Sequence, residues 1–454
     1  MALLTPPGHA PAAKTPDHGA GVPAAGRDRF VDAVRAFGTL VVMLLHWLIP
    51  VVGWDGQRLA VGNALSAGQS WLVTWPLQVI PLMFFAAGAA AWWSRSQAER
   101  PVPFLRRRLG RLLPPVAAFV LAWAVVLAPA ALALGVPAAA VARGASIAPQ
   151  LLWFVAVYLL LSLATPWLLR AFHRYGLGLL LPFAGAAVAV DGARFLLGGP
   201  SWLGYLNVLF VWAVPYLLGF GYADGRFRGV SRRVLVAVAA ASVLVLALLV
   251  AAGPYPASMV GLPGDAMSNM NPPTICLLLV TGFQVPLALL VRRPVLRALA
   301  YRPVGRAVAF VQARSMTLYL WHLTAMFVLI GGVLFGLHRQ LPAAWSADWW
   351  ATRPLWYGVL IALTAVLVRV FGRVELRAPR APRSGRTIAG YAGIGCLLAG
   401  LLLVITTGTM VTGPFGPQIV ALLLGALGGT LLVLSRRPVD GSSAGRLPGR
   451  GLRP

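Results

Sequence analysis

The amino-acid sequence predicts an all-α, polytopic transmembrane helical bundle of about 12 spans with both termini in the cytoplasm. Of its 454 residues, 59% are hydrophobic and only 11% are charged, and the mean hydropathy is +0.79. A soluble domain carries about a quarter charged residues, so this chain lacks the polar surface that a water-soluble fold requires. These values exclude a soluble globular protein.

Apolar runs of the length needed to cross a bilayer, about 20 residues, recur along the whole chain. The candidate spans are 33–52, 71–93, 112–133, 149–169, 177–197, 204–223, 234–252, 273–291, 312–336, 354–372, 388–408 and 417–435. The segments between them are short, which argues against a large domain outside the membrane. The first run is long enough to span the membrane, so it is not a secretory signal.

The basic residues support this topology. The chain has 38 basic and 11 acidic residues, a net charge of +27, which on a soluble protein would indicate nucleic acid binding. Here 30 of the basic residues fall in alternate segments, and only Arg58, Arg143, Arg339 and Arg353 fall in the opposite set. Basic loops mark the cytoplasmic side of a membrane. The charge therefore predicts orientation and a bilayer, with no nucleic acid partner, and the Arg-, Ala- and Gly-rich composition indicates the inner membrane of a bacterium.

The chain divides into five predicted regions. Residues 1–26 read as a disordered cytoplasmic tail, 27–375 as the main membrane domain, 376–387 as a basic linker, 388–435 as an accessory transmembrane hairpin, and 436–454 as a basic cytoplasmic tail. The accessory hairpin contains no Asp, Glu, Lys, Arg or His. The two cysteines, Cys276 and Cys396, lie in apolar runs without disulfide or metal-ligand spacing, so no metal site is predicted.

The first span carries ionisable residues, which are costly in a membrane and indicate function. Asp32 and Arg35 precede His46, and the 11 positions from Arg35 to His46 place both on one stripe of a helix, about 16 Å apart along its axis. Such a column suits an elongated anionic molecule whose charge lies near Arg35 and whose reactive end lies near His46. The alternative is a hydrogen-bonded histidine and an arginine that extends to the membrane surface.

A second membrane histidine lies in the ninth span. Ser315, Tyr319 and His322 follow the i, i+4, i+7 spacing of one helical face, and His322 is predicted near the middle of the bilayer, as is His46. Two histidines at similar depth can form a proton-handling site. The alternative is a packing role for the tyrosine and a hydrogen-bonded histidine in the core.

Further candidates are the arginines at the start of the third span and one acidic residue in the fifth. Arg108 and Arg111 share a helical face and could clamp phosphates, or they could be ordinary cytoplasmic charge. Asp191, three residues before Arg194, could orient a histidine or bind an acceptor hydroxyl, or it could form an interfacial ion pair.

With these residues, the chain resembles the acyltransferase-3 family of integral-membrane O-acyltransferases over roughly residues 27–375. The motifs that carry the resemblance are Asp32-x-x-Arg35 followed by ten residues and His46, the Phe/Arg/Arg…Pro segment 104–115, Gln-Leu-Leu-Trp-Phe-Val at 150–155, and Ser…Tyr-Leu-Trp-His at 315–322. They occur in the family's order.

The resemblance implies a ten-helix catalytic core that moves an acyl group, expected to be acetyl, from cytoplasmic acyl-CoA to a hydroxyl of a carbohydrate, glycolipid or glycosylated small molecule. Acyl-CoA (acetyl-CoA) is a co-substrate, and no permanently bound cofactor is implied. His46 would activate the acceptor hydroxyl or transiently carry the acyl group. The other roles implied are catalysis by His322 and Tyr319, donor binding by Arg35, Arg107, Arg108 and Arg111, and support by Asp32, Trp153, Ser315 and Asp191. The accessory hairpin stands where many members carry a soluble hydrolase-like domain.

Two other classes compete with this interpretation. A twelve-span secondary transporter of the major-facilitator type has the same topology. Such a transporter should show similarity between its halves and an acidic residue at mid-membrane for proton coupling, and the sequence shows neither feature. A lipid-linked glycosyltransferase usually places paired acids in the first outer loop, where this chain has only Asp55.

Overall fold

The computed structural model describes residues 28–66, 68–94, 101–261, 267–375, 387–408 and 416–434. In these ranges, nine helices are long and apolar enough to cross a membrane, and a bent helix pair would make a tenth. The prediction of an all-α, multi-pass membrane protein is therefore confirmed. The count of twelve spans and the cytoplasmic position of the ends stay predictions. The predicted tails at 1–26 and 436–454 lie outside the described residues, as does the linker except for its last residue.

Helix α1 (Arg29–Leu48) begins at a side-chain cap. Asp28 Oδ1 accepts hydrogen bonds from the backbone N–H groups of Phe30 and Val31, at 2.8 and 3.2 Å, which satisfies donors that have no partner inside the helix. The other carboxylate oxygen accepts from Tyr222 Oη at 2.9 Å. The entrance of the helix that carries Arg35 and His46 is thus tied to the rest of the bundle.

After α1 the chain forms a two-stranded antiparallel hairpin, β1 (Pro50–Trp54) and β2 (Leu59–Asn63), with Pro50 opposite Asn63. Asp55 closes its turn by accepting from the backbone N–H groups of Arg58 and Gln57 at 2.6 and 2.8 Å. These bonds, that from Arg58 first, hold the pKa of the Asp55 carboxyl below its ordinary value. Asp55 is therefore a turn residue.

The helices that follow the hairpin are α2 (Thr74–Leu77), α3 (Ile80–Ser94), α4 (Pro101–Leu121), α5 (Ala128–Ala133), α6 (Ala138–Ile147), α7 (Leu152–Tyr175), α8 (Leu180–Phe195) and α9 (Asn207–Ala223). The predicted span 71–93 corresponds to Ser70–Ser94, a stretch long and apolar enough to cross a membrane, although its helix is interrupted between α2 and α3. Pro81 explains the break, because a continuous helix would push its ring against the carbonyl of Leu77.

The second half contains α10 (Arg232–Ala252), α11 (Cys276–Leu290), α12 (Arg292–Ala300), α13 (Arg302–Ala313), α14 (Ser315–Gly331), α15 (Ala347–Glu375), α16 (Thr387–Thr407) and α17 (Pro417–Leu434). The basic segment between the predicted spans 273–291 and 312–336 is largely helical, and α12 bends from α11 by 51°. Apolar residues that follow its arginines, among them Val295 and the buried Leu299, give α12 the amphipathic pattern of a helix packed on one face.

Two glycines let α3 and α9 approach closely. A Cβ atom on Gly88 would overlap the carbonyl oxygen of Tyr216, and one on Gly219 would overlap that of Phe85. Small residues at such contacts allow helix backbones to meet in membrane proteins. Phe84 on α3 then packs on Trp212 of α9, with ring centroids 5.1 Å apart.

We expect Gly88→Ala to lower the free energy of unfolding by about 1–3 kcal/mol, because added volume at a packed contact forces backbone shifts. Thermal unfolding of the purified protein in detergent measures this. Gly358→Ala is the matched control, since a Cβ there meets nothing within 4 Å and alanine favours helix over glycine. Equal unfolding midpoints for the two variants would contradict the packing argument.

Candidate active site

His46 and His322 meet between α1 and α14. His46 Nδ1 lies 3.0 Å from His322 Nε2, and the ring centroids are 5.0 Å apart. His322 is fully buried, whereas His46 is half-buried. The two histidines, 276 positions apart in the sequence, therefore form one hydrogen-bonded pair.

The hydrogen bonds of the pair assign its tautomers. His322 Nδ1 lies 2.7 Å from the backbone oxygen of Tyr319, which can only accept, so Nδ1 carries the proton. In a neutral ring, Nε2 of His322 is then unprotonated and accepts from His46 Nδ1–H. His46 Nε2 is left unprotonated, so it has the lone pair that a general base needs.

Tryptophans hold the backbone around the pair. Trp47 Nε1 donates to the backbone oxygen of His322 at 3.0 Å, and Trp356 Nε1 of α15 donates to the backbone oxygen of Trp47 at 2.9 Å. Tyr357 Oη donates to Leu44 O at 3.2 Å. These bonds join the C-terminal end of α1 to α14 and α15, so the distance between the histidines is set by three helices.

Tyr319 and Ser315 share the α14 helix with His322 but differ in their surroundings. The Tyr319 hydroxyl donates to Leu151 O at 2.8 Å, and its ring lies 5.5 Å from that of Phe154. The phenolic proton is thus committed to a backbone carbonyl, which favours the packing role. Ser315 begins α14, seven residues and about 10 Å along the axis from His322, so it is not part of the histidine pair.

Trp153, predicted to support the site, belongs to an aromatic cluster beside it. Its ring lies 6.1 Å from Phe154 and 5.8 Å from Trp212, and Phe154 in turn contacts Tyr319. Trp153 is half-buried. Because Phe154 contacts Tyr319 of α14, this aromatic cluster packs against α14.

The first-span motif retains its predicted geometry. Asp32 and Arg35 are half-buried residues on α1, and α1 continues as a helix through His46. Arg35 O accepts from Thr39 Oγ1 at 3.0 Å, within the helix. Arg35 therefore lies on the same stripe as His46, toward the N-terminal end.

The two arginines of α4 that were predicted to form a clamp, Arg108 and Arg111, differ in their surroundings. Arg108 turns inward: Nη1 donates to Tyr158 Oη at 2.6 Å and Nη2 donates to Ser94 Oγ at 3.3 Å. Arg111 is exposed. The side chain of Arg107 lies outside the described part of the chain. Arg108 is thus the donor-site candidate that the structure places among other polar groups.

Asp191 lies in a separate polar cluster. Its carboxylate accepts from Asn207 Nδ2 and the backbone N–H of Ile275, both at 2.9 Å, and from Tyr255 Oη at 3.3 Å. Arg194 Nη1 lies 3.8 Å away. These contacts tie α8 to α9 and α11, which favours the ion-pair interpretation over the orientation of a histidine.

Glu375, which the sequence did not single out, caps the helix that carries His322. Its carboxylate accepts from the backbone N–H groups of Met316 and Thr317, at 2.9 and 2.8 Å, and from Thr317 Oγ1 at 2.6 Å. A carboxylate at a helix N-terminus stabilises the helix. The Ser-Met-Thr start of α14 could have indicated a capping site, but not a partner 58 residues away.

A cavity of about 430 Å³ opens beside the β-hairpin and is lined mainly by Val51–Gly53, Ala60–Gly62 and Gln340–Ala343. Neither histidine lines it. It is a groove in the segment that follows α1 and not part of the histidine pair.

A family model described as an acyltransferase domain matches residues 28–373, most of the chain. The match begins at the Asp28 cap and contains both histidines and Arg108. No curated protein and no solved structure matches the chain.

Proposed function

Because this chain belongs to the acyltransferase domain family, as its motifs predict, we propose that it moves an acetyl group from cytoplasmic acetyl-CoA to a hydroxyl of a carbohydrate, glycolipid or glycosylated small molecule, in the inner membrane of a bacterium. The observation that carries the proposal is the 3.0 Å contact between His46 and His322, whose network leaves His46 Nε2 unprotonated.

In the proposed reaction His46 acts as a general base. Its Nε2 takes the proton of the acceptor hydroxyl as the oxygen forms a bond to the thioester carbonyl carbon. The tetrahedral intermediate collapses by breaking the carbon–sulfur bond, and the CoA thiolate receives the proton from His46. The products are the ester and CoA–SH. His322 is a positioning residue, because it accepts from His46 Nδ1–H and stabilises the charged ring.

The positions of Arg35 and Arg108 support an acyl-CoA donor that reaches the histidines from the side of the membrane where the arginine-rich segments are predicted. Arg35 precedes His46 by about 16 Å along α1, and Arg108 lies near the start of α4. A guanidinium binds phosphate oxygens through two parallel hydrogen bonds. The CoA phosphates would bind near these arginines, with the thioester extended along α1 toward His46.

The test is incubation of the purified protein with acetyl-CoA labelled in the acetyl group, with and without candidate hydroxyl acceptors. We expect acceptor-dependent release of CoA together with transfer of the label to the acceptor. Label that stays on the protein as an acyl-histidine would replace the general-base step by a covalent one. Proton-coupled uptake of a candidate acceptor without CoA release would contradict the proposal and favour a transporter.

A further inference from the structure

Arg353 occupies an unusual position for an arginine. The sequence predicts it in an outer loop, but α15 begins at Ala347, and Arg353 lies inside that helix with an exposed fraction of only 6%. It belongs to the buried stripe of α15, together with Trp349 and Trp356. The prediction of a loop residue is wrong, because the tryptophans on both sides of Arg353 continue the packed face of α15 toward its N-terminal end.

The guanidinium is enclosed by aromatic rings. Its Cζ lies 4.4 Å from the ring centroid of Trp349 and 4.6 Å from that of Trp356, and Nε donates to Trp349 O at 3.1 Å. Nη1 is buried and has no hydrogen-bond partner among the described residues. Among the described residues, no carboxylate forms an ion pair with Arg353.

This arrangement leaves a cation incompletely compensated. Burial of an ionised group is unfavourable unless the group is paired and fully hydrogen-bonded. The two tryptophan rings attract the cation, but they do not supply a hydrogen-bond acceptor for Nη1. An anion held at Nη1 would supply both the charge and the acceptor.

Arg353 is joined to the histidine pair through Trp356. The Trp356 ring packs on the guanidinium, and its indole N–H donates to Trp47 O, next to His46. Trp47 is near the C-terminal end of α1, about 18 Å along the axis from Arg35. A group bound at Arg353 is therefore distinct from phosphates held near Arg35.

We propose that Arg353 binds an anionic group of the acceptor, a carboxylate or a phosphate ester, on the side of the histidine pair opposite the donor. The acceptor is that of the proposed acyl transfer, so this inference rests on the proposed function. It narrows the acceptor class to acidic sugars or sugar phosphates, whose hydroxyl would be presented to His46 while the anion is held by Nη1.

The experiment measures binding without acyl-CoA, by tryptophan fluorescence of the purified full-length protein, because Trp349 and Trp356 flank the guanidinium. Two matched pairs of probes separate the sources of the anion: methyl β-D-glucuronide with methyl β-D-glucoside, and glucose 1-phosphate with glucose. We expect the anionic member of one pair to bind about tenfold more tightly, as a charge-assisted hydrogen bond implies. The pair that shows the preference identifies a carboxylate or a phosphate ester.

Variants test whether Arg353 causes the tighter binding of the anionic probe. Arg353→Gln should abolish it, Arg353→Lys should weaken it and keep it, and Arg339→Gln, at an exposed arginine, should leave it unchanged. If Arg353→Gln does not fold, the preference for the anionic probe in the wild type and in Arg353→Lys still tests the inference. Equal binding within both pairs, no binding of either anionic probe, or a full preference in folded Arg353→Gln would overturn the inference. Failure of acceptor-dependent CoA release would instead contradict the proposed function, with this binding result unaffected.

Discussion

His46→Ala is expected to reduce acyl transfer by about 10²–10⁴-fold, the range supplied by a positioned acid–base group, while expression and membrane insertion are retained. The alanine removes the Nε2 lone pair and also the Nδ1–H that donates to His322. Since His46 is half-buried, its loss leaves a small cavity at the end of α1 and not a buried charge. The rate of acetyl-CoA turnover with a saturating acceptor measures the effect.

His173→Ala is the matched control for this variant. His173 is an exposed histidine near the end of α7, and its ring packs against that of Trp92 with centroids 4.9 Å apart, so it tests loss of a histidine on the same bundle. We expect near wild-type turnover. Retention of turnover by His46→Ala, in protein that elutes and unfolds like the wild type, would exclude His46 from the chemistry.

The part of the site that could be predicted is the part encoded within single helices. A period of 3.6 residues is enough to place Arg35 and His46 on one stripe, and α1 is continuous over both. Residue spacing also places Tyr319 and His322 on one helix. Similar depth in the membrane then indicates that the two histidines could meet, because ionisable residues within spans are rare and usually face the bundle interior and pair with one another.

The remaining features depend on contacts that residue spacing does not contain. The bond from Tyr319 Oη to Leu151 O spans 168 positions, and that from Trp356 to Trp47 O spans 309. Arg353 was misplaced because an arginine followed by Pro354 reads as the end of a loop, whereas packing of Trp349 and Trp356 buries it. The β-hairpin was missed because its short strands, which within the described ranges pair only with each other, lie between two strongly apolar helical runs.

His322→Ala should lower kcat on the order of 10²-fold, with a much smaller change in KM, because His322 acts through His46 and lies apart from the arginines proposed for the donor. His322→Asn, which keeps a polar group on α14, should recover part of the lost kcat. Thr324→Val is the control for altered packing of α14: it removes the acceptor of the Trp123 indole N–H, bonded at 3.1 Å, without touching the pair.

Because the two histidines act as one unit, their losses should not add. The double variant His46→Ala/His322→Ala is expected to be no slower than His46→Ala alone, since His322 has no ring left to orient. Fully multiplicative losses would mean that each histidine contacts the reacting groups independently. The tautomers set by Tyr319 O, which leave only His46 Nε2 as the base, would then have to be abandoned, and His322 would become a second catalytic residue in its own right.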